Sequence, residues 1–146
     1  MTHKTLAEIA KRMRGIDIAM LSTKTADGEI ASRPMSNNGD VDYDGDSHYF
    51  TLGSSHMVRE IENDDRVALA FSVEPGLFTG GGLFIAVEGT GSVIRDRAQF
   101  EAHWAPDLDT WFEQGIDTPD LVMLKVHAKR IKYWAGEDEG EVQLAA

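Results

Sequence analysis

No cysteine occurs among the 146 residues of this chain, so disulfides and thiolate metal sites are excluded. No apolar run approaches the roughly 20 residues that a helical membrane span requires. The N-terminal Met1-Thr2-His3-Lys4-Thr5-Leu6 lacks the apolar stretch of a secretory signal. These absences make a cytoplasmic protein with no membrane partner the expectation. Positive charge is short too: 14 Lys and Arg stand against 25 Asp and Glu, a net charge of −11. Such a field repels phosphate backbones, so nucleic acid is a poor partner, and a small anionic ligand needs a local pocket that opposes the global field. Internal repeats and long linkers are missing as well. A length of 146 residues suits one domain, and a 42% hydrophobic share is enough to build its core.

What is present is a succession of short β patterns. Thr5-Leu6-Ala7-Glu8 is a capping box that opens a helix carrying Leu6, Ile9 and Met13 on one face and stopping at Gly15. From Ile16 the period changes. Segments 16–23 and 30–37 read as strands around Thr25-Ala26-Asp27-Gly28, a hairpin signal. Asp44-Gly45 reads as a second hairpin turn into the strand His48-Tyr49-Phe50-Thr51. Val67, Leu69, Phe71 and Val73 alternate with small residues, and Pro75-Gly76 ends that strand. Ile85, Val87 and Val93 alternate through a strand whose Gly89 and Gly91 mark a bend or a close backbone approach. Asp96-Arg97-Ala98-Gln99 is another capping box, before a helix with Phe100 and Trp104 on one face. A last strand runs from Leu121 to about Trp134, and the acidic segment 136–146 is expected to fray. About six strands in hairpins with short flanking helices predict a mainly β, α+β chain built as a small antiparallel barrel, in one domain over residues 1–146.

The segment Phe50-Thr51-Leu52-Gly53-Ser54-Ser55-His56-Met57-Val58-Arg59-Glu60-Ile61 carries the chemistry. A Gly and two Ser lead into a helix whose free N–H groups attract anions; Ser54 or Ser55 either caps that helix or donates to a phosphate. Together with Arg33-Pro34-Met35-Ser36 before it and Arg66-Val67-Ala68-Leu69-Ala70-Phe71 after it, this segment resembles the flavin-binding split barrels of the pyridoxamine 5′-phosphate oxidase-like family. Val87-Glu88-Gly89-Thr90-Gly91, Asp96, Trp104, Trp111-Phe112, Gly115, Pro119 and Tyr133-Trp134 are similar to the general stress protein branch, and the likeness covers about residues 5–135.

The resemblance implies a split β-barrel homodimer with two flavin sites at the subunit interface, FMN ahead of FAD, and a flavin-dependent oxidoreductase of unassigned substrate. By that analogy Arg33 and Ser55 hold the phosphate, with Ser36, His56 and Met57 beside them, and Pro34, Met35, Phe50 and Thr51 line the ribityl chain and ring. Trp111 and Trp134 are candidates to reach the partner's site. One departure stands out: the family places a Lys where this chain has Met57, which leaves His56 as the local basic group, with Arg59 one turn along. Losing a charged phosphate contact costs about 1.5–3 kcal/mol, so Met57→Lys is expected to tighten binding. The longer C-terminal region with which the true oxidase holds its substrate phosphate has no counterpart in Glu137-Asp138-Glu139-Gly140-Glu141, so that activity is not expected. The alternative is a non-enzymatic small-ligand-binding or cofactor-free split-barrel dimer.

Other signals carry less. Asp40, Asp42, Asp44, Gly45 and Asp46 imitate the start of an EF-hand loop, but its twelfth position is Thr51 and strands flank it; a solvated acidic turn is expected. The histidines lack paired metal spacing, so no metal site is expected, and Ser55-His56 has no orienting acid. Gly80-Gly81-Gly82 has no following Lys-Ser/Thr and reads as a turn.

Overall fold

A computed structural model describes residues 4–37, 43–75 and 81–144. Helix α1 (Leu6–Met13) begins where predicted: the Thr5 hydroxyl accepts the Glu8 N–H at 3.2 Å, and Ile9 and Met13 are buried. Strands β1 (Ile18–Lys24) and β2 (Ile30–Ser36) form the expected hairpin, with Gly28 at φ +81° in its turn and Leu21 opposite Arg33. After them come β3 (Asp46–Leu52), α2 (His56–Asn63), β4 (Arg66–Val73), β5 (Leu83–Ile94), α3 (Arg97–His103), β6 (Leu121–Ala135) and β7 (Asp138–Gln143). These strands make one antiparallel sheet in the order β2-β1-β4-β5-β6-β3, with β7 also paired to β6. This is the open sheet of a split barrel. Among the described residues no helix is long and apolar enough to cross a membrane.

Two sequence expectations change here. The turn at Asp44-Gly45 does not close a hairpin between β2 and β3; β3 pairs with β6 along its whole length, Asp46 opposite His127 and Leu52 opposite Leu121. The Gly45 carbonyl accepts the Ala128 N–H at 2.8 Å, so the turn delivers the chain to β6 instead of back to β2. Asp40 and Asp42 of that acidic run lie outside the described residues, as does Gly80; Gly81 accepts from the Arg12 guanidinium at 2.9 Å. The acidic end expected to fray is instead β7 through Gln143. Val142 pairs with Ile131 and packs on the core, and Glu141 faces Lys132 and Arg130. Its negative charge, read alone as a sign of disorder, is matched by the basic outer residues of β6.

The core lies inside the curved sheet. Leu21, Leu69, Val87, Leu124, Ile131 and Tyr133 point inward, closed by Ile9 of α1 and by Val58 and Ile61 of α2. Helix α3 builds a second, smaller cluster on the outer side of β3 and β6, where Phe100 meets Leu121, Met123 and Phe50. Trp104 anchors it against Phe50 (ring centroids 4.9 Å) and Phe112 (5.9 Å), and its indole N–H reaches Asp109 at 3.0 Å.

At the edge of this cluster the His48 and His103 rings stack at 3.7 Å and 16°. Burial, then His103, holds His48 below the ordinary histidine range, against the opposing pull of Asp46 and Asp44; Lys125 adds to the lowering. A folded-state value depressed for a base means that its stabilisation is complete above the ordinary histidine value and is lost as pH falls below it. Thermal melts between about pH 7.5 and pH 5 are therefore expected to fall more steeply for the parent than for His48→Phe; parallel curves would remove the stack as the cause.

Candidate functional site

Alternation in β2 splits the predicted site residues between two faces. Arg33 and Met35 turn inward, whereas Pro34 and Ser36 lie outward opposite Met20 and Ile18. Met35 packs on the core. The Arg33 guanidinium donates from Nη1 to Thr23 Oγ1 at 2.8 Å and to the Leu21 carbonyl at 3.4 Å, and from Nη2 to Glu60 Oε1 at 3.1 Å. The Thr23 hydroxyl donates to the same Glu60 oxygen at 3.0 Å. Arg33 therefore ties β1, β2 and α2 together through a half-buried ion pair.

The second expected anchor is the start of α2. Ser55 is its cap, the hydroxyl accepting the Val58 N–H at 3.4 Å. His56 next to it is exposed, and Arg59 turns back to donate to the Ser54 carbonyl at 3.3 Å. Met57 is only 8% exposed and lies in the core cluster beside Val58 and Ile61. The position at which a lysine was expected to supply charge thus faces inward. A lysine there would bury its stem or bend out at the cost of packing, so Met57→Lys is expected to lower the melting temperature by about 3–8 °C. An unchanged melt would mean that the residue reaches solvent.

Asp120 completes this corner. Its carboxylate accepts the Ser54 N–H at 2.8 Å, and its carbonyl accepts the Gly53 N–H at 2.8 Å. Asp120 takes φ +64°, a conformation that Asp tolerates better than most side chains. Gly53 leaves the space: a Cβ there would sit 2.7 Å from Asp120 Oδ1.

The remaining predicted residues are dispersed. Thr51 is half-buried opposite Val122, and Phe50 is committed to the α3 cluster. Trp111 is 71% exposed after the turn Pro106–Thr110. Trp134 lies across the outer face of the sheet, opposite Phe84. That face carries aligned apolar residues. Pro34, Met20, Ala70 and Ala86 form one row across four strands. Flanking it are Ile18, Phe84 and Trp134, exposed by 53%, 60% and 40%. A cavity of about 230 Å³ at its edge, lined by Ser22, Lys24, Ile30 and Arg66 among others, is smaller than the ~300–1,000 Å³ usual for ligand pockets. A larger groove of about 580 Å³ between Arg12, Asp17 and Glu74 includes none of the predicted site residues.

Arg33 and Ser55 are named by the family resemblance, whereas Thr23, Glu60 and Asp120 join them only through contacts in the folded chain. Thr23 follows Ala19 and Leu21 on the inward face of β1. Glu60 and Asp120 read locally as ordinary solvent-facing acids, and only their long-range neighbours mark them.

The chain matches the family model "Pyridoxamine 5'-phosphate oxidase like" over residues 4–145. A search of curated protein sequences finds no match. Among solved structures it is similar to a protein from Clostridium acetobutylicum related to general stress protein 26 of Bacillus subtilis, with TM-score 0.80 and 22% identity over 99% of this chain and 97% of that one. It is similar to the general stress FMN/FAD binding protein of Xanthomonas citri, with TM-score 0.73 and 25% identity over 97% and 93% of the two chains. A heme binding protein from Mycobacterium smegmatis shares the fold at TM-score 0.72 and 16% identity, over 98% of this chain and 60% of that one.

Proposed function

Because the chain belongs to the pyridoxamine 5′-phosphate oxidase-like family, we propose that it binds a flavin, FMN ahead of FAD, between two copies of itself. The observation that carries this reading is the aligned apolar outer face of the sheet. Ile18, Met20, Pro34, Phe84 and Trp134 together make the kind of exposed patch that marks an interaction site, and most of them lie within one hairpin or one strand pair. A second copy laid on it buries these side chains and encloses space that a single copy lacks. The Xanthomonas citri protein, described as FMN/FAD binding, supports the choice of ligand.

In this arrangement the backbone and outward side chains of 34–36 and the loop before α2 hold the ribityl chain and ring edge. Arg33 lies behind them, and Trp111 or Trp134 of the second copy covers the ring. A flavin bound there would supply hydride-transfer chemistry; the apolar lining contributes binding and exclusion of water. The residues fit the ring and chain better than the phosphate, because Arg33 already holds Glu60.

Purified protein is expected to absorb in the flavin bands or to quench added FMN saturably, at dimeric mass. Arg33→Ala, which leaves Glu60 half-buried and unpaired, is expected to weaken FMN about tenfold or more, and Lys24→Ala about twofold or less. Colourless protein indifferent to millimolar FMN would leave the second reading, a non-enzymatic dimer for another small ligand, which the internal pairing of Arg33 favours.

A further inference from the structure

We propose that Glu60 and Asp120 make this site nearly indifferent to a terminal phosphate, so that an unphosphorylated isoalloxazine with a ribityl chain binds about as well as FMN. The inference rests on the flavin reading above and specifies which form of flavin the site takes.

A phosphomonoester needs cations and free N–H groups, and this corner of the fold offers its own carboxylates to both. The guanidinium of Arg33 donates to Glu60 Oε1 at 3.1 Å, and Thr23 donates to the same oxygen at 3.0 Å, fixing the carboxylate where it lies. The Ser54 amide, at the mouth of α2, donates to Asp120 Oδ2 at 2.8 Å. Gly53 gives that carboxylate room, and the positive φ of Asp120 aims it. Ser55 accepts from Val58 within its own helix, and Arg59 is turned onto the Ser54 carbonyl. The place where a further cation would stand holds the buried Met57. Local charges therefore cancel, within a chain of net charge −11.

A phosphate carrying about −1.5 to −2 charges at pH 7 must either displace Glu60 and Asp120 or sit beside them. Displacing Glu60 breaks a half-buried pair and leaves its carboxylate unmatched. Sitting beside it sets like charges against each other. Either way the gain from Arg33 is offset. The ribityl hydroxyls and the ring meet no such penalty, since they need only hydrogen bonds and apolar cover.

The test is titration of the full-length protein with FMN and with riboflavin, for the parent, Glu60→Gln and Asp120→Asn. The parent is expected to bind the two flavins within about threefold of each other. Glu60→Gln keeps the shape and loses the charge; it is expected to raise FMN affinity about tenfold and leave riboflavin within about twofold. Asp120→Asn, which retains an acceptor for Ser54, gives a second route to FMN preference should Glu60→Gln fail to fold. A parent that prefers FMN by about thirtyfold or more, or variants that leave the ratio unchanged, would overturn phosphate indifference and leave the flavin reading intact. Failure of both flavins to bind would overturn the two together.

Discussion

Gly89→Ala is expected to lower the melting temperature by about 10 °C, corresponding to roughly 3 kcal/mol in a domain of this size. Gly89 sits at the irregularity between Glu88 and Gly89 where β5 bends against β6. A Cβ there would lie 2.0 Å from the His127 carbonyl oxygen, 2.9 Å from its carbon and 3.1 Å from Ala128 Cα. All three are backbone atoms, so no side-chain rotation relieves the clash, and the two longest strands must part there. Gly91→Ala is the matched control. Its Cβ would meet Ile61 Cγ2 at 3.1 Å and Val67 Cγ1 at 3.3 Å, side-chain atoms that can give, so a loss of about 1 kcal/mol is expected. Equal losses for the two variants, measured by calorimetry or circular dichroism, would show that the close approach at Gly89 is not what requires glycine.

Phe84→Asp is expected to convert the proposed dimer into a folded monomer and to abolish the flavin quenching proposed above. Phe84 is 60% exposed, while its neighbours Leu83 and Ile85 are buried at 0% and 2%, so the substitution touches the outer face without opening the core. Its cross-strand partner Trp134 extends the same apolar patch. In a two-fold interface each change occurs twice, and losing an aromatic anchor typically costs about 2 kcal/mol or more per copy, before the desolvation of a carboxylate is added. Light scattering at micromolar concentration would then give a mass near 16.1 kDa, with a circular dichroism spectrum like that of the parent. A variant that stays dimeric would place the partner on another surface; a monomer that still binds FMN would place the flavin within one chain.

The sequence carried the local decisions because each depends on neighbours a few positions apart. Thr5 and Asp96 cap helices with their own side chains, Gly28 turns the first hairpin, and alternation in 67–73 and 121–134 marks strands with one inward face. Glycine within a strand foretold the close approach at Gly89. The ordered succession of short motifs identified the family and, with it, the split barrel. Of the candidate site, the resemblance named Arg33 and Ser55 for the phosphate, and the cap that Ser55 forms was legible in the residues themselves.

Partnership over long distances was decided only in three dimensions. A period of two says that 46–52 is a strand but not whether it pairs with β2 or β6, and the acids of 137–141 look unstructured until the basic edge of β6 lies beside them. Which way Met57 faces depends on where α2 is docked. Whether Arg33 is available to a ligand depends on Glu60, 27 positions along, and the Ser54 amide depends on Asp120, 66 positions along. Charge and hydrogen-bonding capacity can be read from residue identity, but whether they are already satisfied is a property of the packed chain.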